Sequence, residues 1–191
     1  MRMAESLTTE RLLLRRWRDS DRLPFQKINA DPRVMKFMPG FLAPEVSDKL
    51  INRIEEHFDR HGFGLFAAEL LAERKLIGFI GLSVPPLEAP FMPAVEIGWR
   101  LAFDSWGRGL ATEGARAVVH YSFENLSLTS LVSFTVPENL RSRRVMQKLG
   151  MTHDPADDFD HPSLPHSHPL RRHVLYRLDS LQWSTKDVKT E

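Results

Sequence analysis

The sequence has 191 residues, 42% of them hydrophobic, which is enough for one well-buried domain and short for two. Its 26 lysines and arginines nearly balance 25 aspartates and glutamates, so no strong net charge would attract nucleic acid or an acidic membrane surface. Cysteine is absent, which excludes disulfides, thiolate metal ligands and a cysteine nucleophile, and which fits a reducing cytoplasm.

The start of the chain lacks the apolar core of a signal peptide, and no apolar run approaches the roughly 18 residues of a membrane span. We therefore expect a cytoplasmic protein with no membrane or nucleic-acid partner. A single domain should span residues 1–191, with a core of about 8–178 and a frayed tail over 184–191.

Apolar periodicity and turn residues predict a regular alternation of elements. In chain order they are a strand over 11–17, helices over 23–29 and 44–60, strands over 63–70, 75–83 and 95–101, a helix over 110–123, a strand over 129–136, a helix over 140–149 and a strand over 172–178. Asp19-Ser20-Asp21 offers an N-cap for the first helix. Strands on both sides of each central helix indicate a mixed α/β sheet.

The segment from Trp106 to Ala115 is a glycine-bearing turn between a predicted strand and a predicted helix. Gly107 and Gly109 can adopt a positive φ, which lets the backbone approach a ligand closely. Amides at the start of a helix can bind a phosphate there, but a compact structural turn would look the same. The segment matches neither the P-loop nor the Gly-x-Gly-x-x-Gly pattern.

Ser142 lies on the apolar stripe of the predicted helix over 140–149, together with Val145, Met146 and Leu149. An inward hydroxyl needs a partner, because burying it unpaired costs roughly 1–3 kcal/mol. The partner could be a backbone carbonyl or a bound ligand. The basic side chains of this helix could contact a phosphate or face water; they are Arg141, Arg143, Arg144 and Lys148.

The segment over 154–169 is rich in Asp, His and Pro. Its spacing matches no standard metal-ligand pattern, and the prolines indicate an extended surface loop. We therefore expect no metal at this segment. The aromatic cluster of Trp99, Phe103 and Trp106 is interpreted as core packing.

Three ordered motifs resemble the GNAT superfamily of acetyl-coenzyme A-dependent N-acetyltransferases, especially its ribosomal-protein N-terminal acetyltransferase branch. They are Thr9-Glu10-Arg11-Leu12-Leu13-Leu14-Arg15, Glu96-Ile97-Gly98-Trp99 with the segment 106–113, and Pro137-Glu138-Asn139-Leu140-Arg141-Ser142 with Lys148-Leu149-Gly150-Met151. The resemblance implies an α/β (α+β) fold with a mixed, mostly antiparallel central sheet flanked by helices. It also implies that the parallel fourth and fifth predicted strands splay apart around the coenzyme arm.

The resemblance also assigns a coenzyme site. Amides from Arg108 to Thr112 would hold the pyrophosphate, Arg108 would add charge, and Asn139 would contact the coenzyme arm. The full set of expected coenzyme contacts is Leu101, Ala102, Phe103, Trp106, Gly107, Arg108, Gly109, Leu110, Ala111, Thr112, Asn139 and Ser142.

Two catalytic residues are predicted. Many relatives have a tyrosine acid where this chain has Met146, and the branch resemblance suggests that Ser142 donates to the leaving sulfur instead. A hydrogen bond within its own helix is the alternative for Ser142. Glu96 is the candidate base, acting through water, and an ion pair with Arg100 is its alternative.

The resemblance implies direct transfer of an acetyl group from coenzyme A to a primary amine, through a ternary complex. The acceptor would be a protein N-terminus or a small-molecule amine, and the protein a monomer or homodimer. A non-catalytic acyl-coenzyme A sensor on the same fold is the alternative, and a nucleotide-phosphate binder is a weaker one.

Overall fold

The computed structural model describes residues 6–187, with side chains to residue 183. The strands are β1 (Ser6–Thr8), β2 (Leu12–Arg15), β3 (Leu65–Leu70), β4 (Lys75–Ser83), β5 (Glu96–Leu101), β6 (Ser130–Thr135), β7 (Thr152–His153), β8 (Phe159–Asp160) and β9 (Arg172–Asp179). The α-helices are α1 (Arg22–Asn29), α2 (Pro32–Met35), α3 (Pro44–His61), α4 (Leu110–Glu124), α5 (Leu140–Lys148) and α6 (Ser180–Asp187).

The sheet has the order β1-β2-β3-β4-β5-β6-β9-β7, and β8 pairs with β9. Every pairing is antiparallel except that of β5 with β6, which is parallel. This confirms the predicted mixed, mostly antiparallel sheet. The parallel strands are the fifth and sixth rather than the fourth and fifth, because the short strand β1 was not predicted.

The parallel strands diverge soon after they meet. Their register contains one pair, Glu96 with Val132, and the Val132 amide donates to the Val95 carbonyl at 2.9 Å. By contrast, β4 and β5 pair over six residues. The C-terminal parts of β5 and β6 are therefore free to line a cleft between them.

Helix α4 packs close to the sheet because of Gly114. A Cβ atom at this position would lie 2.4 Å from Ile80 Cδ1 and 3.1 Å from Leu12 Cδ1. Leu110, Ala115 and Val118 of the helix are buried in the same core. Close packing fixes the first half of α4 against β2 and β4, which limits where the turn before the helix can lie.

Helix α6 extends to Asp187, into the segment predicted to fray from Ser184; residues 188–191 lie outside the described part of the chain, and fraying stays a prediction. One predicted helix cap differs in the structure. Asp21 does not cap α1 with its side chain. Its carboxylate instead accepts two hydrogen bonds from the buried Arg15 guanidinium, at 2.7 and 2.9 Å, and charge pairing takes precedence over capping.

Within residues 6–187, none of the helices has the length and apolar character needed to cross a lipid bilayer.

Candidate active site

A cavity of about 450 Å³ opens where β5 and β6 diverge. Side chains from both strands line it, together with β4, the start of α5 and the segment between β8 and β9. Glu96, Asn139 and Ser142 all contribute to its wall. The structure thus brings Glu96 together with Asn139 and Ser142, more than forty positions later in the sequence, as predicted for one site.

Glu96 lies at the start of β5 and is largely withdrawn from water. Its side-chain partner is Ser83, whose hydroxyl donates to Glu96 Oε2 at 3.3 Å. Burial raises the pKa of Glu96 from 4.5 to about 7, and the Ser83 hydrogen bond opposes this shift only partly. At neutral pH this carboxyl group can therefore both accept and release a proton.

The alternative reading of Glu96, an ion pair with Arg100, is wrong. Arg100 Nη1 donates to Asn29 Oδ1 at 2.8 Å, and Nη2 contacts the Met38 sulfur at 3.3 Å. No ion pair joins Arg100 to Glu96 among the described residues. Glu96 therefore keeps its carboxylate free of a cationic partner, which is consistent with its raised pKa.

Asn139 is the N-cap of α5, as its position before the helix predicts. Its Oδ1 accepts from the Ser142 amide at 3.3 Å, and its Nδ2 donates to Thr135 Oγ1 at 3.0 Å. The side chain thus ties the start of α5 to the end of β6. This arrangement fixes Ser142 at the cavity wall.

The Ser142 hydroxyl has no hydrogen-bond partner in the described structure, so the alternative of a bond within its own helix is wrong. The side chain is half-buried and borders the cavity. A hydroxyl in this position can donate to an atom of a bound ligand without first breaking an internal hydrogen bond.

The turn before α4 has the geometry of an anion site. Gly107 and Gly109 have φ values of 72° and 80°, in the region that glycine adopts without strain. No side chain caps the start of α4. Glu113 is the first residue of the helix whose amide donates a backbone hydrogen bond, to the Gly109 carbonyl at 3.0 Å. The preceding amides of the first turn are therefore available to a ligand.

Basic and aromatic side chains surround this turn. Arg108 is exposed, and the Arg141 guanidinium lies 4.8 Å from the centre of the Trp106 ring. Trp106 Nε1 donates to the Leu101 carbonyl at 2.8 Å, which anchors the ring over the end of β5. Arg143, by contrast, turns inward and donates to the Pro137 carbonyl and the Tyr176 hydroxyl.

Glu113, the last residue of the turn motif over 106–113, positions the turn, a role that was not predicted from the sequence. Its Oε1 accepts from the Thr9 hydroxyl at 2.6 Å and from the Arg11 amide at 2.9 Å. The Arg11 guanidinium bonds Glu113 Oε2 and also donates to the Arg108 carbonyl at 3.0 Å. The first and second sequence motifs therefore meet at the turn.

Replacing Glu113 by glutamine is expected to raise the Kd for a ligand held by this turn about 3- to 10-fold. The change removes the ion pair with Arg11, a contact at 2.5 Å that also holds the Arg108 carbonyl in place. The free energy of unfolding should fall by about 1 kcal/mol. Calorimetric titration and urea unfolding measure both effects. The exposed Glu10→Gln is the matched control, and equal Kd values for the two variants would contradict this role.

Two of the predicted coenzyme contacts, Ala102 and Phe103, border a second cavity. Ala102 and Phe103 line a separate, larger cavity of about 800 Å³, in which Arg15, Asp21 and Glu69 form a buried ionic network. Phe103 packs against Trp106, with ring centres 5.1 Å apart. The Arg33 guanidinium carbon lies 3.9 Å from the centre of the Phe103 ring. Phe103 thus contributes to a packed cluster, and the larger cavity contains neither Glu96 nor Ser142.

The segment between β8 and β9 borders the same cavity as Glu96. His161, Ser163 and Leu164 line it, and His173 of β9 lies beside them, with the two imidazole rings 5.2 Å apart. Burial lowers the pKa of both histidines, which favours their neutral forms. Among the described residues, no group of three or more His, Asp and Glu side chains could hold a metal ion.

A sequence model of the acetyltransferase (GNAT) domain matches residues 11–152, most of the chain. The chain belongs to the GNAT acetyltransferase family. It is accordingly an acetyltransferase that uses acetyl-coenzyme A as its cosubstrate.

Several known proteins are similar to this chain. One is the FsC-acetyl coenzyme A-N(2)-transacetylase of Aspergillus fumigatus, 36% identical over 135 residues; the match covers 66% of this chain and 56% of the fungal protein. The crystal structure of an acetyltransferase from Agrobacterium tumefaciens superposes with a TM-score of 0.74 at 31% identity, covering 92% of this chain and 94% of that one. The ribosomal-protein-S5-alanine acetyltransferase of Vibrio fischeri, 18% identical, shares the fold with a TM-score of 0.73 over 93% of this chain and 98% of that one.

Proposed function

We propose that this protein transfers the acetyl group of acetyl-coenzyme A to a primary amine, by direct attack in a ternary complex. The observation that carries the proposal is the cavity between β5 and β6, where Glu96 and the unpartnered Ser142 hydroxyl face the same space. The acceptor nitrogen is supported by the name of the Aspergillus relative, which is an N(2)-transacetylase.

The turn before α4 holds the pyrophosphate in this proposal. The amides from Arg108 to Thr112 donate to the phosphate oxygens, and Gly107 and Gly109 keep the approach free of side chains. Several amides are needed, because a single exposed contact at a helix start contributes only about 0.3–1 kcal/mol. The guanidinium of Arg108, and that of Arg141 over Trp106, supply positive charge near the phosphates.

The side chain of Glu96 takes the proton from the acceptor amine through a water molecule. A pKa of about 7 matches this task, since the base is then ionised for part of the time at neutral pH and returns its proton readily. An α-amine with a pKa near 8 costs about 1.4 kcal/mol to deprotonate at pH 7, and a lysine near 10.4 costs about 4.6 kcal/mol. A single carboxylate therefore suits an α-amine better.

The Ser142 hydroxyl donates a hydrogen bond to the sulfur that leaves with coenzyme A. Replacing it by alanine should lower kcat at least 10-fold and leave the Kd for acetyl-coenzyme A unchanged within about 2-fold, because the hydroxyl stabilises the departing thiolate rather than the resting complex. Ser122→Ala is the control, since that hydroxyl donates to the Val119 carbonyl of its own helix. Wild-type kcat in Ser142→Ala would contradict the assignment.

Steady-state acetylation of a panel of amines tests the proposed function. The panel contains peptide N-termini, free amino acids, lysine side-chain amines and polyamines, and release of the coenzyme thiol is the readout. Turnover with any of these supports the enzyme, and α-amines should be preferred. Binding of acetyl-coenzyme A without turnover would favour the alternative, a non-catalytic sensor in which Met146 replaces the tyrosine acid.

The ribosomal-protein branch, a cytoplasmic location and a monomeric or dimeric state stay predictions.

A further inference from the structure

Arg100 is a partly buried cation, with a fully buried Nε, that the reaction proposed above does not use. It lies on the same face of β5 as Glu96 and Gly98, and all three line the cavity. Its Nη1 donates to Asn29 Oδ1 and its Nη2 contacts the Met38 sulfur, a weak acceptor. Its Nε is buried and has no hydrogen-bond partner in the described structure.

The neighbours of Arg100 do not neutralise its charge. They are a neutral amide, a thioether and the Phe79 ring, whose centre lies 5.4 Å from the guanidinium carbon. Burial lowers the pKa of Arg100 to about 10, so the side chain is still fully charged at pH 7. A buried charge without a counterion is costly, and such groups are usually paired. The missing partner is an anion.

The free donors of Arg100 form one edge of the guanidinium. Nε and Nη2 point to the same side and match the two oxygens of a carboxylate. A carboxylate would satisfy Nε and would replace the Met38 sulfur on Nη2, and a methionine side chain moves aside at low cost.

Gly98 leaves open space between Arg100 and Glu96. An ideal Cβ atom at Gly98 would meet a single atom within 4 Å, Glu96 Oε1 at 3.9 Å. Along a strand, positions 96 and 100 are about 13 Å apart. On the floor of the cavity the Glu96 carboxyl group therefore reaches toward Gly98 from one side, the Arg100 guanidinium lies on the other without an anionic partner, and Gly98 adds no side chain.

We propose that Arg100 binds a carboxylate of the acceptor, so that the acceptor is an amino-carboxylic acid lying across Gly98. This inference rests on the proposed function, since it places the reacting amine at Glu96. A short peptide fits this arrangement, because its α-amine lies several bonds from its carboxylate and an α-amine suits the single carboxylate of Glu96.

A matched series of acceptors tests this inference. ω-Amino acids from glycine to 6-aminohexanoate are compared with their carboxamides, which keep the amine and lose the charge. For the longer members we expect kcat/KM to be at least 10-fold higher for the acid than for the amide. This ratio should fall to about one in Arg100→Gln and recover partly in Arg100→Lys. The exposed Arg53→Gln is the control and should keep the wild-type ratio.

Gly98→Val provides a second variant, because its backbone is outside the left-handed region and its Cβ atom would fill the floor without a clash. It should raise KM for the acids at least 10-fold and leave the Kd for acetyl-coenzyme A unchanged. Acids and amides acetylated equally well at every length would overturn the role of Arg100 and leave the proposed function intact.

A binding measurement separates the two proposals. Hexanoate, which has no amine, should bind the complex with coenzyme A in a ligand-observed NMR experiment, whereas hexanamide should not, and Arg100→Gln should abolish the difference. If no amine is acetylated, the proposed function fails, and hexanoate binding still decides whether Arg100 recognises a carboxylate. Equal signals for hexanoate and hexanamide would overturn the inference.

Discussion

Replacing Glu96 by glutamine is expected to lower kcat about 100-fold or more while the Kd for acetyl-coenzyme A stays within about 2-fold of the wild-type value. The reason is that glutamine keeps the size of the side chain and loses the proton acceptor. In the wild type, kcat/KM should rise with pH and level off above about pH 7, the pKa of Glu96. This inflection should be absent from the residual activity of the variant.

The same substitution should stabilise the fold at alkaline pH. The native pKa of about 7 lies above the ordinary value of 4.5, so the folded state keeps a proton that the unfolded chain releases. The stability that Glu96 contributes is complete below about pH 4.5 and is lost as the pH rises through 7. Glu96→Gln should therefore be more stable than the wild type by up to about 3 kcal/mol at pH 8 and nearly equal to it at pH 4.

Urea unfolding at the two pH values, combined with a pH–rate profile, measures both effects. Glu56→Gln is the control, because Glu56 is an exposed carboxylate on α3 and its loss should change neither quantity. A wild-type pH–rate profile in Glu96→Gln would exclude this carboxylate as the base. Equal stability of variant and wild type at pH 8 would show that its burial imposes no cost.

Replacing Gly109 by valine is the second change with a large expected effect. The Kd for acetyl-coenzyme A should rise at least 30-fold, because the new side chain stands at the N-cap of α4 and disturbs the amides that donate to the pyrophosphate. A positive φ of 80° also costs a non-glycine residue about 1–2 kcal/mol of stability. Calorimetric titration measures the Kd, and urea unfolding measures the stability.

Gly62→Val separates strain from binding. Gly62 ends α3 with a φ of 77°, so valine there meets the same backbone penalty away from the turn. It should lose similar stability and bind acetyl-coenzyme A as the wild type does. If the two variants bind equally, the turn before α4 does not hold the pyrophosphate.

Local sequence signals sufficed for the features that depend on neighbouring residues. The turn glycines, the cap at Asn139 and the inward side of α5 are each determined within a few residues, and the structure has all three. The sheet followed from the alternation of apolar side chains and from the family motifs. The inward placement of Ser142 followed from the spacing of a single helix.

Contacts between distant elements could not be read from the sequence. The side chain of Arg100 is held by Asn29 of α1 and by Met38, which precedes α3, and strand periodicity alone places it next to Glu96. Asp21 is drawn from its capping position by Arg15 of β2. The role of Glu113 depends on Thr9 and Arg11, about a hundred positions earlier.

The most direct test of direct acetyl transfer is a single-turnover experiment in which the enzyme, in excess over acetyl-coenzyme A, is analysed by mass spectrometry with and without an amine. The acetylated amine should form together with free coenzyme A thiol, and the mass of the protein should never increase by an acetyl group. An acetylated protein that then transfers its group to the amine would contradict direct attack, and intact acetyl-coenzyme A with every amine would contradict catalysis itself.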